Sequence, residues 1–217
     1  MTPFTYRPPD GPLRVIHSDA ALLILDKPPG LLSVPGKGPD LADCLLSRAV
    51  AMDPAALLVH RLDLDTSGVM VFARTPAAQR HLGLQFERRH VSKTYIAEIW
   101  GHPERDSGEI DLPLICDWPN RPKQMVDFER GKAARTGWEV LERGADRTRV
   151  RLSPQTGRSH QLRVHMQAMG HPILGDRFYA DGAALAASDR LRLHAARLDL
   201  YHPDGGTRVA FEAPCPF

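Results

Sequence analysis

His60-Arg61-Leu62-Asp63-Leu64-Asp65-Thr66-Ser67-Gly68 is a short polar segment between two apolar runs of the chain. The flanking runs, residues 57–59 and 69–73, favour β-strands, and Thr66-Ser67-Gly68 favours a turn. The pattern therefore predicts two strands, with Asp63 at a strand end. A carboxylate that an arginine keeps ionised serves as a nucleophile or base without a metal. The alternative is an Arg–Asp pair that only fixes the turn, and this segment alone leaves both interpretations open.

The composition is that of an ordinary folded domain. The chain has 217 residues, 42% of them hydrophobic and 25% charged, with a formal net charge of +2. A polyanionic partner would therefore be bound by local patches rather than by a basic arm. We expect one catalytic domain over residues 13–217, after an N-terminal extension at residues 1–12.

The cellular setting is predicted from cysteine usage and from the N-terminus. Cys44, Cys116 and Cys215 lie far apart and form no CxxC pair, which favours a reducing, cytoplasmic setting. The first residues show no charged segment followed by an apolar core, and no run approaches about 18 apolar residues. We therefore expect neither export nor membrane insertion.

The periodicity of the chain predicts an α+β fold. The first two strands of the fold are expected to form a β-hairpin that closes on the turn Lys27-Pro28-Pro29-Gly30. Residues 41–50 have helical spacing with Asp40 as the expected N-cap, and Thr75-Pro76 opens a second helix. Residues 159–169 form a third helix, with Leu162, Met166 and Met169 on its core face. Strands are expected at residues 94–100, 136–141, 148–152, 191–200 and 207–212, with two extended pieces within 110–126. The expected core is a mixed, largely antiparallel β-sheet with flanking helices.

Two further polar segments stand out. In Ser92-Lys93-Thr94-Tyr95, strand alternation places Lys93 and Tyr95 on one face, although a half-buried tyrosine beside a solvated lysine is also typical of a strand. In the segment from Thr156 to Arg163, a turn with two arginines leads into a helix N-terminus, which favours anions. An ordinary solvated helix start is the alternative.

Other kinds of catalytic site find little support. His160 and His165 are five residues apart and stand in no HExxH motif, so we expect no metal. Neither GxxxxGK[ST] nor GxGxxG is present, and neither Ser67 nor Ser159 lies in GxSxG. One carboxylate, one strand tyrosine and several arginines remain.

These residues resemble the signatures of the RluA-type pseudouridine synthases. The segment His60-Arg61-Leu62-Asp63-x-x-Thr66-Ser67-Gly68 is similar to the family signature, and Lys93-x-Tyr95 and residues 157–163 follow in the family's order. Residues 27–30 and 171–176 also resemble family stretches, so the likeness extends over about residues 13–214. The tract from Asp111 to Gln124 is similar to that of the dual-specificity branch, which acts on 23S rRNA and tRNA.

The resemblance implies the pseudouridine synthase catalytic fold, with a catalytic cleft across the sheet and no separate N-terminal RNA-binding domain. It also implies isomerisation of uridine in stem-loops of 23S rRNA and tRNA, including the anticodon stem-loop, by base flipping. The bond from ribose C1′ to uracil N1 breaks, and the base turns and rejoins through C5. The expected partner is RNA, with no membrane and no small-molecule cofactor, and the expected state is a monomer.

The family's site residues are carried over position by position. Asp63 becomes the catalytic carboxylate, which either attacks C1′ or takes a proton from C2′. Arg163 becomes its basic partner, and Tyr95 stacks on the uracil or acts late as a base at C5. Arg61 resembles the residue that enters the RNA stack where the uridine has left. The other expected substrate contacts are His60, Lys93, Arg158 and His160.

Two alternative functions remain open at this point. A non-catalytic RNA-binding or chaperone module could keep the fold, although a pure binder has no use for a carboxylate facing phosphates. A hydrolase of the glycosidic bond usually needs a second carboxylate, and Asp65 is the nearest candidate. Six cations are either phosphate contacts or simply solvated: Arg80, Arg88, Arg89, Arg121, Lys123 and Arg158.

Overall fold

A computed structural model describes residues 5–217, which fall into two compact units. The N-terminal unit comprises the described residues up to Val91 together with Ala195–Pro214, and the central unit comprises Ser92–His194 and Cys215–Phe217. Residues 1–4 of the expected N-terminal extension lie outside the described residues. The single domain over residues 13–217 stays a prediction. No helix within residues 5–217 is long and apolar enough to cross a membrane.

Strands outnumber helices, which confirms the predicted sheet-dominated α+β class. The strands are β1 (Arg14–Ser18), β2 (Leu22–Lys27), β3 (Leu57–Leu58), β4 (Ser67–Ala73), β5 (Ser92–Trp100), β6 (Ser107–Asp111), β7 (Leu114–Cys116), β8 (Gln124–Val126), β9 (Arg135–Arg143), β10 (Arg147–Pro154), β11 (Leu193–Tyr201) and β12 (Arg208–Glu212). The α-helices are α1 (Leu45–Met52), α2 (Pro76–Glu87), α3 (Gln161–Ala168) and α4 (Gly182–Ala186), and single 3-10 turns lie at Pro39–Leu41 and Trp118–Asn120.

The N-terminal unit is built around β4. This strand pairs antiparallel with β2 along its length and with the short β3 at the end near Ala73, and all seven of its residues are buried. Burial on both faces explains why residues 69–73 form an apolar run without alternation. Helix α2 begins at its predicted N-cap, Thr75, whose hydroxyl accepts the Ala78 amide at 3.1 Å. It buries Ala78 and Leu82 in the core of this unit.

The predicted start of the first helix was wrong. Asp40 lies in the 3-10 turn and caps nothing; α1 begins five residues later, after the buried Cys44. The Cys44 sulfur accepts the Ser47 amide at 3.3 Å, and the Ser47 hydroxyl accepts the Cys44 amide at 2.9 Å. A sulfur therefore does the capping that the residue preferences assign to an oxygen. Leu45 and Ala49 of α1 are buried.

The central unit carries a four-stranded antiparallel sheet in the order β5-β10-β9-β6 and a separate hairpin of β7 and β8. Tyr95 on β5 lies opposite Leu152 on β10, and Ala97 and Ile99 farther along β5 are fully buried. Helix α3 packs Leu162 and Met166 against the same cluster. The predicted core face of this helix is confirmed.

A carboxylate at the end of β1 gives the N-terminal unit a pH-dependent contact. Asp19 bonds His17 Nε2 at 2.5 Å and His202 Nε2 at 3.1 Å, and also accepts the Ala21 and Leu22 amides. Burial alone would raise the pKa of Asp19, but these hydrogen bonds outweigh it and hold that pKa well below its usual range. Burial alone would lower the pKa of His202, but its bonds to the Asp204 carbonyl and to Asp19 raise it.

We expect Asp19→Asn to destabilise the protein by about 1.5–3 kcal/mol near pH 5–6, the usual contribution of hydrogen bonds to charged groups. The lowered pKa of Asp19 gives stability above pH ~4 that is lost as the pH falls. The raised pKa of His202 gives stability below pH ~6.5 that is lost as the pH rises. Urea unfolding from pH 3 to pH 8 should therefore show that the difference in free energy of unfolding between wild type and variant is largest near pH 5–6. The difference should become smaller towards pH 3 and towards pH 8. A difference independent of pH would contradict this account.

Candidate active site

Asp63 lies in the loop between β3 and β4 rather than at a strand end. Both predicted strands are present, but β3 ends at Leu58, one residue earlier than predicted, and β4 begins at Ser67, two residues earlier than predicted. The loop closes in a turn in which the Thr66 amide donates to the Asp63 carbonyl at 3.2 Å. Asp63 itself is half-buried.

Hydrogen bonds fix the backbone on both sides of Asp63. The Ser33 hydroxyl donates to the Leu62 carbonyl at 2.7 Å and accepts the Leu62 amide at 3.1 Å. The Leu64 carbonyl accepts from the Gly30 amide at 3.0 Å and from Lys27 Nζ at 2.9 Å. None of these bonds uses the Asp63 side chain. The loop backbone therefore holds the Asp63 side chain in a defined direction, as a reactive group requires.

Lys27 is the anchor of this loop. Its side chain is completely buried at the end of β2, and Nζ donates to the carbonyls of Pro28 at 2.9 Å and Leu31 at 2.7 Å, besides that of Leu64. A buried ammonium is tolerated only where such acceptors replace water. The cation ties the turn after β2 to the loop of Asp63.

We expect Lys27→Met to cost about 2–4 kcal/mol of folding free energy, because a buried carbonyl that loses its donor costs about 1–3 kcal/mol. The loop of Asp63 should lose its anchor as well, so turnover should fall at temperatures where the variant is still folded. Urea unfolding and activity at 20–25 °C measure the two effects. A variant with wild-type stability would remove the anchoring role.

The remaining residues of this segment have separate surroundings. His60 Nε2 accepts the Val71 amide at 3.1 Å and its ring stacks on Phe86 at 4.7 Å, so the described contacts of His60 serve the fold. Arg61 is exposed. Gly68 has a φ of 115°, and a Cβ there would come within 2.2 Å of the Ala195 carbonyl oxygen. Gly68 therefore lies in β4 rather than in the predicted turn, and it allows a close approach of the backbone to β11.

The second and third polar segments meet within the central unit. Lys93 Nζ lies 3.4 Å from the Thr156 carbonyl, at the turn that leads into α3. Burial lowers the pKa of Lys93. Tyr95, two residues along β5, is half-buried and packs on the cluster that contains Leu162 of α3. The predicted common face of Lys93 and Tyr95 thus adjoins the Gly157–Arg163 segment, although the two segments are more than 60 residues apart.

Gln161, the first residue of α3, holds that turn in place. Its side-chain oxygen accepts the Thr156 hydroxyl at 2.7 Å and the Arg158 amide at 3.1 Å, and its nitrogen donates to the Arg135 carbonyl and to the Thr136 hydroxyl, both at 3.0 Å. The Gln161 amide thus accepts two hydrogen bonds and donates two, which is all that it can make. Arg158 is left exposed, with Nε donating to the Ala133 carbonyl at 3.2 Å.

Arg163 is clamped by a carboxylate that the sequence did not single out. Its Nε and Nη2 each donate to Asp176 at 2.7 Å, and the two side chains are 3% and 0% exposed. The same carboxylate accepts the amides of Phe178 and Tyr179, whose rings lie 5.2 and 5.1 Å from the guanidinium carbon. A bidentate pair with further donors is the geometry in which a buried ion pair is tolerated. The predicted pairing of Arg163 with Asp63 stays a prediction.

His160 has an unusual backbone that places its ring. Its φ of 52° is left-handed, and the ring stacks on Phe178 while Nδ1 lies 2.7 Å from the Tyr179 hydroxyl. That hydroxyl accepts the Gln124 amide of β8 at 2.8 Å and can therefore give its own proton to His160. One tyrosine thus connects the start of α3 with the β7–β8 hairpin.

Sequence reasoning missed four residues that organise these sites: Lys27, Ser33, Asp176 and Tyr179. Two of them carried a signal. Lys27 stands at the end of an apolar strand beside Pro-Pro-Gly, and Asp176 follows Gly175, where a Cβ would meet the Arg190 carbonyl oxygen at 2.2 Å. Both belonged to stretches that resemble the family without an assigned role. Among residues 5–217, no three His, Cys, Asp or Glu side chains are placed to hold a metal ion.

Comparison with known proteins identifies relatives along nearly the whole chain. The family model for RNA pseudouridylate synthase matches residues 21–168. The dual-specificity RNA pseudouridine synthase RluA of Yersinia pestis is 55% identical over 94% of this chain and 99% of its own length. The protein of the same name from Escherichia coli K12 is 53% identical over 98% of each chain.

Solved structures agree with this similarity. Human RNA pseudouridylate synthase domain containing 1 superposes with a TM-score of 0.79 at 28% identity, covering 97% of this chain and 87% of its own. Human RNA pseudouridylate synthase domain containing 4 gives a TM-score of 0.74 at 27% identity over 93% and 88%.

Proposed function

The chain belongs to the RNA pseudouridylate synthase family, and we propose that it is a dual-specificity isomerase that converts uridine into pseudouridine in stem-loops of 23S rRNA and tRNA. Support for the dual specificity comes from the identity of 53–55%, over nearly the full length, to relatives that carry that name. We further propose that it works as a cytoplasmic monomer without a cofactor.

Asp63 is proposed as the catalytic carboxylate. The observation that carries this role is the loop itself, whose backbone is held at Leu62 and Leu64 by Ser33, Gly30 and Lys27 while the carboxylate is left half-buried. Such a carboxylate attacks C1′ as a nucleophile or takes the C2′ proton as a base. In either case the C1′–N1 bond breaks, the uracil turns, and C5 bonds to C1′; the proton is lost from C5 and one is gained at N1.

The other roles follow the family order. Tyr95 stacks on the flipped uracil, a contact worth about 1–3 kcal/mol per base. Exposed Arg61 enters the RNA stack in place of the uridine, which is least costly in a loop whose bases are already partly unstacked. Arg163 is the proposed basic partner of Asp63, and His60, Lys93, Arg158 and His160 are the proposed further substrate contacts.

The proposal is tested with RNA that carries tritium at uracil C5, using a tRNA anticodon stem-loop and a 23S rRNA stem-loop as separate substrates. Release of tritium without free uracil is expected for both. Release from only one of the two RNAs would contradict the dual specificity, whereas the isomerase activity itself would still be supported.

The same assay distinguishes the two alternative functions. Free uracil would identify a hydrolase, which usually relies on a second carboxylate such as Asp65. RNA binding with neither product would identify a non-catalytic binding module.

A further inference from the structure

The turn that ends α2 contains a backbone conformation that its residue does not favour. The helix ends at Glu87, and the next residues are Arg88, Arg89 and His90. Arg89 has a φ of 61°, in the left-handed region. The His90 amide donates to the Gln85 carbonyl at 2.8 Å, and the Arg89 amide to the Phe86 carbonyl at 3.3 Å. This is the Schellman helix end, in which glycine is the usual residue at the position of Arg89.

The fold does not explain the arginine at this position. A cation beside the last carbonyls of a helix is favourable, but Arg88 already supplies one with an ordinary φ of −82°. The Arg88, Arg89 and His90 side chains are exposed, and they make no hydrogen bond or ion pair with any residue of the described part of the chain. A side chain kept in a strained conformation without an internal partner indicates a function outside the fold.

The position of the turn indicates what that function is. The ring of Phe86, in the last turn of α2, stacks on His60 at 4.7 Å, so this helix end adjoins the segment that begins with His60 and Arg61 and carries Asp63. Glu87 is the one acidic side chain at the turn, and two arginines outweigh it.

We propose that Arg89, assisted by Arg88, binds a phosphate of the RNA backbone beside the flipped uridine, and that the left-handed conformation is what directs this cation outward. The inference rests on the proposed function for the identity of the polyanion. It assigns a phosphate-binding role to the α2 turn that the resemblance does not supply. The conformation carries a cost in stability, because L-residues other than glycine are strained at positive φ.

The strain and the charge can be separated by two substitutions. Arg89→Gly removes both, so Tm should rise by about 2–4 °C while RNA binding weakens. Loss of one phosphate contact should reduce the slope of log K against log salt by about 0.7–0.9, equivalent to about five- to eightfold weaker binding at 0.1 M salt relative to 1 M salt. Arg89→Lys keeps the charge and the strain, so its salt slope and Tm should stay near those of wild type.

The control is Arg105→Gln, which removes one positive charge from an exposed side chain in the central unit. It should change neither the salt slope nor tritium release. Binding is measured with the anticodon stem-loop, and melting by calorimetry.

Two results would overturn the inference: a salt slope for Arg89→Gly equal to that of wild type, or a fall in its Tm. Both are distinct from failure of the proposed function, which would appear as absence of tritium release from wild type.

Discussion

Asp63→Asn should reduce tritium release by at least about 10³-fold while the protein still folds and binds RNA. Removal of a general base typically costs about 10²–10⁴-fold, and an amide nitrogen can act neither as this base nor as a nucleophile. Folding should survive, because the loop is anchored on both sides of Asp63 through the backbone of Leu62 and Leu64. Single-turnover tritium release and the Tm of the variant measure the two expectations.

A matched control lies in the same loop. Asp65→Asn makes the same chemical change two residues away and should keep tritium release within about tenfold of wild type, since isomerisation needs one carboxylate and hydrolysis usually needs two. Equal losses in the two variants would contradict the assignment of Asp63. Activity of Asp63→Asn near that of wild type would remove its catalytic role altogether.

The largest effect on stability is expected at Asp176. Asp176→Asn leaves the Arg163 guanidinium buried beside a neutral side chain, and breaking a buried ion pair on one side typically costs about 3–5 kcal/mol. For a chain of this length that corresponds to a fall in Tm of about 6–20 °C. Urea unfolding at pH 7 measures the loss.

A double-mutant cycle identifies the source of that loss. Arg163→Met alone should cost a similar amount, and the double variant should cost less than the sum by about 1–3 kcal/mol. Glu139→Gln, which breaks the exposed pair with Arg151, is the control and should cost less than about 1 kcal/mol. Additive losses in the cycle would mean that the two side chains do not stabilise each other.

This cycle also affects how Arg163 is tested in catalysis. The role proposed for Arg163 predicts that Arg163→Met loses activity while RNA binding is largely kept. The bonds of Arg163 to Asp176 mean that the same variant is also expected to unfold more easily. Arg163→Lys keeps a positive charge and gives the cleaner comparison at temperatures where both variants are folded.

Sequence patterns predicted the secondary-structure elements that are determined by residues close together in the chain. The Thr75-Pro76 start of α2, the core face of α3 and the alternation of β5 depend on neighbours within a few residues, and all three are confirmed. The start of α1 depends on a cysteine sulfur acting as a cap, which residue preferences do not indicate. The exact ends of the Asp63 loop depend on strand pairing, since β3 pairs with β4 through only two residues.

The supports of the site could not be predicted in the same way. Lys27 reaches a carbonyl 37 residues away, and Arg163 is held by a carboxylate 13 residues away. No periodicity specifies such contacts, since each depends on how distant segments fold together. A family signature names the reactive residues, whereas the groups that orient them are identified by geometry.

The Tyr179 hydroxyl has a consequence for chimeric enzymes. It bonds both the Gln124 amide, at the start of β8, at 2.8 Å and His160 Nδ1 at 2.7 Å. Tyr179 itself lies more than 50 residues beyond the hairpin in the chain. If this hairpin were replaced by that of a relative with a different target preference, the new hairpin would lack its own partner for that backbone amide. The residue that plays the part of Tyr179 in the relative would have to be exchanged as well. The unit to be exchanged is therefore discontinuous in the chain: it consists of the β7–β8 hairpin and the distant Tyr179 side chain.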